Sequence, residues 1–481
     1  MDIQTRKRDI LIALIPIVVL ILQQVVIITL LGADALAGAS QVALIASGGV
    51  AVAISILYYR TPWAKFEDAI SASVHKVSSA LIILLMIGAL SSTWVLSGIV
   101  PYLIYLGVQA INPDFFLATA CGICALVSLM TGSSWTTIAT IGLALMGIGE
   151  ALGMPRGMVA GAIISGAYFG DKISPMSETT VLASSLAGVP LFTHIRYMLV
   201  TTIPSIGLTL LIFLFLGFGK HTAVGADIEM FRTALAAHFH FTPWLLIVPL
   251  LTAIMIARKT PAQIVLFLST LMAGLVAVVA QPEILSSVTG STVSNARSIF
   301  LGLMQCIYGS TAYETGNATI DALVATRGMS GMLNTIYLIL SAMCFGGCLT
   351  ASGMLGHLTH AFTRFVHHRT GIVSSTVASA IMLNTIVADQ YLTIILTSSI
   401  FKASYDREGF EGRLLSRTVE DAGTVTSPII PWNSCGMTQA AVLNTPTLTY
   451  LPFAFFNIIS PLMSIAVAII GFKIYKTARQ K

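Results

Sequence analysis

Three acids, Asp171, Glu178 and Asp389, stand in stretches otherwise built from apolar, hydroxyl and glycine residues. An ionised carboxylate at the centre of a bilayer costs on the order of 3 kcal/mol on insertion scales, so one that is kept there normally has a function and a partner. Such a group can hold a proton or a sodium ion on the same oxygens, but not readily both, and that competition is itself an exchange chemistry. The neighbouring residues supply neutral oxygens. Ser133, Ser134, Thr136 and Thr137 follow Gly132; Ser174, Ser177 and Thr179 flank Asp171 and Glu178; Gln390 follows Asp389; Thr426, Ser427 and Asn433 form a further group. A hard cation takes such mixed oxygen ligation, so these eleven side chains are expected to line a binding site for sodium, with the three acids as its anionic ligands and as proton carriers.

Each assignment has a structural competitor. Lys172 could pair with Asp171 or Glu178 and only steady the local backbone, Asp389 could cap a helix, and the hydroxyls could bond to their own helices. An intramembrane aspartyl protease with Asp171 and Asp389 as its dyad would need Gly at 168, where Tyr168 stands, and Ala388 precedes Asp389 where Tyr is usual. No phosphate-binding G-x-x-x-x-G-K-[ST] run is present, so ATP-driven transport has no support. The chain therefore reads as a non-enzyme with no cofactor beyond the sodium ion and proton it would couple. Cys121 and Cys124 lack the βαβ context of a redox motif. His357, His360, His367 and His368 read as a solvated basic loop.

The elements that must position these residues are membrane helices. Of 481 residues 56% are hydrophobic and only 9% charged, and the mean hydropathy is +0.88, outside the soluble globular range. Apolar stretches long enough to span lie near 9–31, 41–58, 77–99, 197–219, 241–257, 261–280, 333–351 and 449–472. The first follows Arg6, Lys7 and Arg8 and reads as a retained helix rather than a signal peptide. The net charge of +5 reflects basic residues that orient the chain, and no nucleic-acid partner is implied.

Two polar islands share one skeleton, Gly170-Asp171-Lys172-Ile173-Ser174-Pro175 and Gly423-Thr424-Val425-Thr426-Ser427-Pro428. Gly and Ser-Pro would break a membrane helix at matching places in two halves, as in transporters with a midplane site. Pro175 should push Ser174 out of helical geometry and free nearby carbonyls. The second island carries no charge and should offer neutral groups only. Threading by basic residues puts both termini in the cytoplasm, with Lys402, Arg407, Arg413 and Arg417 in an inner loop, and makes the halves antiparallel. The expected fold is an all-α polytopic membrane protein, an inverted repeat with two re-entrant hairpins and two broken transmembrane helices. Its parts are scaffold helices over 1–76; a first repeat over 77–219, with hairpin 115–149 and broken helix 157–190; connecting helices over 220–332; and a second repeat over 333–481, with hairpin 372–404 and broken helix 412–444. Within 281–332, Arg297, Glu314, Asp321 and Arg327 interrupt any clean span and suggest an external loop with an amphipathic or re-entrant piece.

The stretch Gly170-Asp171-Lys172-Ile173-Ser174-Pro175-Met176-Ser177-Glu178-Thr179-Thr180-Val181-Leu182-Ala183 resembles the G-D-K-x-S-P-x-S-[DE]-T-T-x-L-A signature of NhaC-type sodium/proton antiporters. It departs from the commonest form at Glu178, where Asp is usual, and at Val181, where Asn is usual. The resemblance implies a multi-pass protein of the cytoplasmic (inner) membrane that moves sodium out for protons in, with a homodimer formed through scaffold helices in the lipid bilayer. It also leaves open an alternative, a sodium- or proton-coupled exchanger of a small organic acid or amino acid, malate/lactate-like, on the same scaffold. In that alternative Asn433 and free backbone amides would hold the solute's carboxylate.

Overall fold

The computed structural model describes residues 3–31, 38–110, 112–175, 177–218, 225–258, 260–291, 293–312, 321, 324–354, 356 and 368–476. Expectations that fall on Met176, Glu314, His357, His360 and His367 lie outside these residues. The described chain is helical, with only two isolated β-bridges, Thr311 to Thr326 and Phe410 to Lys476. Seven of its helices are long and apolar enough to cross a membrane, or up to ten if each sharply bent pair is one span. Ile3–Leu31, Ala39–Ile54, Trp63–Leu96 and Leu333–Ala351 pack together as a scaffold. Where sequence interrupts any span after residue 280, two short helices form, Pro282–Val288 and the amphipathic Ala296–Tyr308.

Against this scaffold stand two sets of the same three elements. In the first, Phe116–Thr131 turns at Gly132, whose φ of 66° is left-handed, and returns through Ser134–Thr137, a π-helical turn Ile138–Gly142 and Leu143–Ala151. In the second, Arg369–Val387 turns at Ala388, φ 58°, and returns as Gln390–Arg407. The residues after the turns share one geometry. Ser133 (φ −147°, ψ 114°) and Asp389 (φ −146°, ψ 134°) both cap the returning arm by accepting from a backbone N–H three residues on. Ser133 and Asp389 are thus structural equivalents, as are Ser134 and Gln390.

Each hairpin is followed by a broken helix and a closing helix. Arg156–Ile173 stops where Ser174 is extended (ψ 130°) before Pro175, and Glu178–Ala187 restarts with Ser177 as its cap. The second break is built differently. Gly412–Val419 loosens into a π-turn over Glu420–Thr424, a 3₁₀ turn follows at Ser427–Ile429, and Ser434–Val442 restarts under an Asn433 cap. There the extended residue is Ile430 (ψ 117°), ahead of Pro431, while Ser427 is helical. The shared Gly-x-x-x-Ser-Pro skeleton therefore does not break both helices at the same residue: Pro431, not Pro428, plays the part of Pro175. The closing helices are Leu191–Gly217 and Phe455–Ile470.

The glycines of the skeleton differ as well. A Cβ on Gly170 would strike the Ala125 carbonyl and the Leu129 amide of the first hairpin, and one on Gly166 would strike the Cys121 carbonyl. Together with the Ser128 hydroxyl, which donates to the Ala167 carbonyl at 2.6 Å, these glycines press the hairpin onto the broken helix, the close approach that small residues permit between membrane helices. A Cβ on Gly423 would meet nothing nearer than 3.5 Å. Gly170→Ala is accordingly expected to lower stability by about 1–3 kcal/mol through overpacking, and Gly423→Ala to stay within about 1 kcal/mol of wild type. Thermal unfolding of the purified protein in detergent, read by size-exclusion recovery, checks the contrast.

Candidate functional site

The first hairpin tip and the first break meet at a carboxylate. Asp171, buried one turn before the break, accepts from both the backbone N–H of Ser134 at 3.0 Å and its hydroxyl at 2.7 Å. In the second half the roles are exchanged. The acid is Asp389 on the hairpin tip, and the hydroxyl is Ser434 on the broken helix, 3.3 Å from Asp389 Oδ2, while the Ser434 N–H donates to the Ala388 carbonyl at 2.8 Å. Each tip is thus bonded to its own break through one carboxylate and one serine. Asp389 Oδ1 also caps the returning arm through the Leu392 N–H at 2.9 Å, so the helix-cap competitor is real for one of its oxygens.

Tyr391, on the second hairpin, joins the halves. Its hydroxyl donates to Glu178 Oε2 at 2.9 Å, and its ring stands near Asp171 and Asp389 as well. Glu178 is the least buried of the three acids. It is exposed at the first residue of its helix, where the helix dipole favours a negative charge. Among the described residues no three His, Cys, Asp or Glu side chains converge as a metal-binding group.

The neutral groups divide sharply. Ser134 is the hydroxyl of the first tip that reaches an acid. Ser133 accepts from the Thr136 N–H and hydroxyl at 3.2 and 3.1 Å, and Thr137 donates to the Ser133 carbonyl at 3.0 Å, so these three hold the turn itself. Ser174 is buried at the break. Ser177 caps the second helix fragment and lies 3.0 Å from Thr179, which donates to Glu420 at 2.9 Å. In the second half Ser427 lies 3.4 Å from the Gln390 side-chain oxygen Oε1 and donates to the Thr424 backbone carbonyl at 2.7 Å. Thr426 accepts from Asn384 at 3.0 Å and donates to the Ala422 carbonyl at 2.5 Å. The Asn433 amide donates to the Asn384 carbonyl at 3.1 Å and its oxygen accepts from the Cys435 N–H at 3.0 Å.

The largest departure from the sequence reading concerns charge in the second half. Glu420 and Asp421, on the π-turn just before the uncharged island, are fully buried. Lys172 pairs with Asp421, not with Asp171 or Glu178, and also donates to Ser460 at 3.1 Å. Asp421 accepts from Thr201 at 3.1 Å. Arg417, expected in an inner loop, is buried, with Nε 3.9 Å from Asp421 and its guanidinium over the Tyr197 ring. The signal for this was present: Arg417 and Asp421 sit four apart, one helical turn, inside a run that leads directly into the second island. The Lys172–Asp421 pair links the two broken helices across the halves. Lys172→Met is expected to destabilise the protein by about 3–5 kcal/mol by stranding Asp421, and the double change Lys172→Met with Asp421→Leu to recover most of that loss. Thermal unfolding of the three proteins measures it.

The chain is 35% identical over 419 residues to the Na(+)/H(+) antiporter NhaC of Alkalihalophilus pseudofirmus, covering 87% of this chain and 88% of that one. It is 35% identical over 401 residues to the malate-2H(+)/Na(+)-lactate antiporter of Bacillus subtilis, 82% of each chain. It is 33% identical over 467 residues to the arginine/ornithine antiporter ArcD of Halobacterium salinarum, 96% of this chain and 92% of that one. Residues 4–189 and 166–472 match the description of the Na+/H+ antiporter family, and the chain belongs to that family.

Proposed function

We propose that this chain is a secondary active transporter that exchanges sodium ions for protons across the cytoplasmic membrane, with both termini on the cytoplasmic side and the two halves in opposite orientation. The observation that carries the reading is the Asp171 carboxylate, buried at a helix break and held by the amide and hydroxyl of Ser134 from the opposing hairpin tip. A carboxylate so placed has lost most of its water, and a proton or a sodium ion can restore neutrality in the same space.

Sodium would sit at Asp171 with the Ser134 hydroxyl turned to present its oxygen, Ser174 and the loosened backbone of the break completing the shell. Asp389, with Ser434 and the carbonyl of Ala388, forms the corresponding position of the second half. Glu178, exposed and held by Tyr391, stands at the approach to these sites. Because tip and break move as one bonded unit in each half, rocking of these units against the scaffold would expose the carboxylates to one side and then the other. The apolar outer faces of the scaffold helices contact lipid and would also provide the surface for a homodimer. In the organic-solute alternative, Asn433, which now bonds the Asn384 carbonyl and the Cys435 N–H, and free backbone amides of the second break would hold the solute's carboxylate.

In everted vesicles carrying the protein, sodium alone is expected to dissipate an imposed proton gradient; a gradient that falls only after an organic acid or amino acid is added would establish the alternative. Asp171→Asn and Asp389→Asn are each expected to lower sodium-driven proton movement by on the order of a hundredfold. Ser134→Ala should raise the half-saturating sodium concentration by roughly tenfold, the value of a hydrogen bond to a charged group. One-for-one competition at a single carboxylate predicts a further signature. The half-saturating sodium concentration should rise by about tenfold for each unit the pH falls below the group's own protonation midpoint and level off above it. Sodium titrations of transport at several fixed pH values test this.

A further inference from the structure

Hydroxyls in membrane helices commonly turn back to their own backbone. Ser399 donates to the Ile395 carbonyl at 2.7 Å, and Thr418 to the Leu414 carbonyl at 2.8 Å. Thr393, on the returning arm Gln390–Arg407, and Thr424, at the end of the π-turn, do not. Both are fully buried, and neither hydroxyl has a hydrogen-bond partner among the described residues. Thr397, one turn beyond Thr393, is in the same condition. Glu420 Oε2 is a further oxygen of this kind, on a side chain that is also fully buried.

These oxygens gather where the returning arm of the second hairpin packs on the second break. Thr393 Cγ2 would stand 3.5 Å from a Cβ on Gly423. Gly423 and Thr424 follow Glu420 by three and four residues, so all three share one helical face. The other oxygen of the carboxylate, Glu420 Oε1, accepts from Thr179 of the first half at 2.9 Å. No lysine or arginine is paired with Glu420 among the described residues; Lys172 and Arg417 both stand against Asp421, the next residue. A buried carboxylate without a cation is unfavourable, and unpartnered hydroxyls beside it are unfavourable too. One monovalent cation relieves both. Carboxylate and hydroxyl oxygens are the ligands a hard ion takes, and a single acid matches a single positive charge.

We infer that Glu420, Thr424 and Thr393 form a cation site of their own, apart from Asp171 and Asp389, and that it takes sodium; the identity of the ion rests on the sodium/proton reading above. Glu420 Oε2 supplies the anionic ligand and the two threonine hydroxyls supply neutral ones. Thr397 continues the row one turn toward the Arg407 end of the returning arm. Because Thr179 holds the other oxygen of the same carboxylate, an ion here draws the restarted helix of the first break and the π-turn of the second together across the seam between the halves.

Equilibrium dialysis of the purified protein with radioactive sodium tests the site, with choline holding the ionic strength constant. At saturating sodium Glu420→Gln should hold one ion fewer per chain than wild type; an unchanged count overturns the proposal. Two further variants keep the test independent of any effect of Glu420→Gln on folding. Thr393→Val and Thr424→Val remove no side-chain hydrogen bond of the structure, so a merely structural role predicts equal or greater thermal stability and an unaltered sodium titration. A ligand role predicts that same stability without sodium, together with about tenfold weaker binding of one sodium ion in each variant. Sodium titrations that match wild type in both valine variants overturn the site. Should the wild-type protein move no protons in response to sodium, the proposed function fails, while the dialysis still decides whether Glu420 holds an ion. Active exchange with an unchanged count in Glu420→Gln removes the site and leaves the function standing.

Discussion

Backbone that leaves helical geometry at membrane depth must find its hydrogen bonds inside the protein, because lipid supplies none. Most of what is distinctive in this molecule follows from meeting that requirement twice. The Ser134 N–H at the first tip closes on the Asp171 carboxylate, and the Ala388 carbonyl freed at the second tip accepts from the restarted helix at Ser434. The same contacts that satisfy the irregular backbone therefore place a carboxylate at each junction. Structural need and ion chemistry share one set of atoms, which explains why so many hydroxyls near the tips, such as Ser133 and Thr137, are engaged in the turn itself.

The two halves repeat a plan of elements without repeating its chemistry. The acid stands on the broken helix in one half and on the hairpin in the other, and the first break is a clean proline stop while the second is a π-turn followed by a 3₁₀ turn. A π-turn carries one extra residue per turn and disturbs the ladder locally. Here it turns both Glu420 and Asp421 into the interior, toward Thr179 and Lys172 of the other half. The cross-half ion pair is the electrostatic hinge of the assembly: it joins the residue after Asp171 to the residue after Glu420.

The sequence made the class of fold legible because its signals were large: long apolar spans, two islands with a common skeleton, and prolines where helices stop. Ser174 is extended before Pro175 for the reason its sequence suggests. Asp171 and Asp389 were legible because lone acids in apolar surroundings are expensive. What was hidden was pairing. Lys172 could be assigned to neighbours in sequence, yet its partner lies 249 residues away, and only packing brings the second broken helix to it. Arg417 read as one of several basic residues in a loop, because charge clusters look alike whether water or protein surrounds them. The skeleton itself misled at Pro428, since the matched prolines are not the ones that interrupt the two broken helices in the same way.

Ala388 occupies a left-handed backbone conformation that Gly132 adopts freely in the other tip. A side chain there costs roughly 1–2 kcal/mol, so the second turn is held under tension by the bonds of Asp389 and Ser434 on either side of it. A glycine would relax that tension and also loosen the turn. The alanine keeps its peptide oxygen aimed at the Ser434 N–H of the restarted helix, so the second tip stores in one residue's backbone a cost that the glycine of the first tip does not carry.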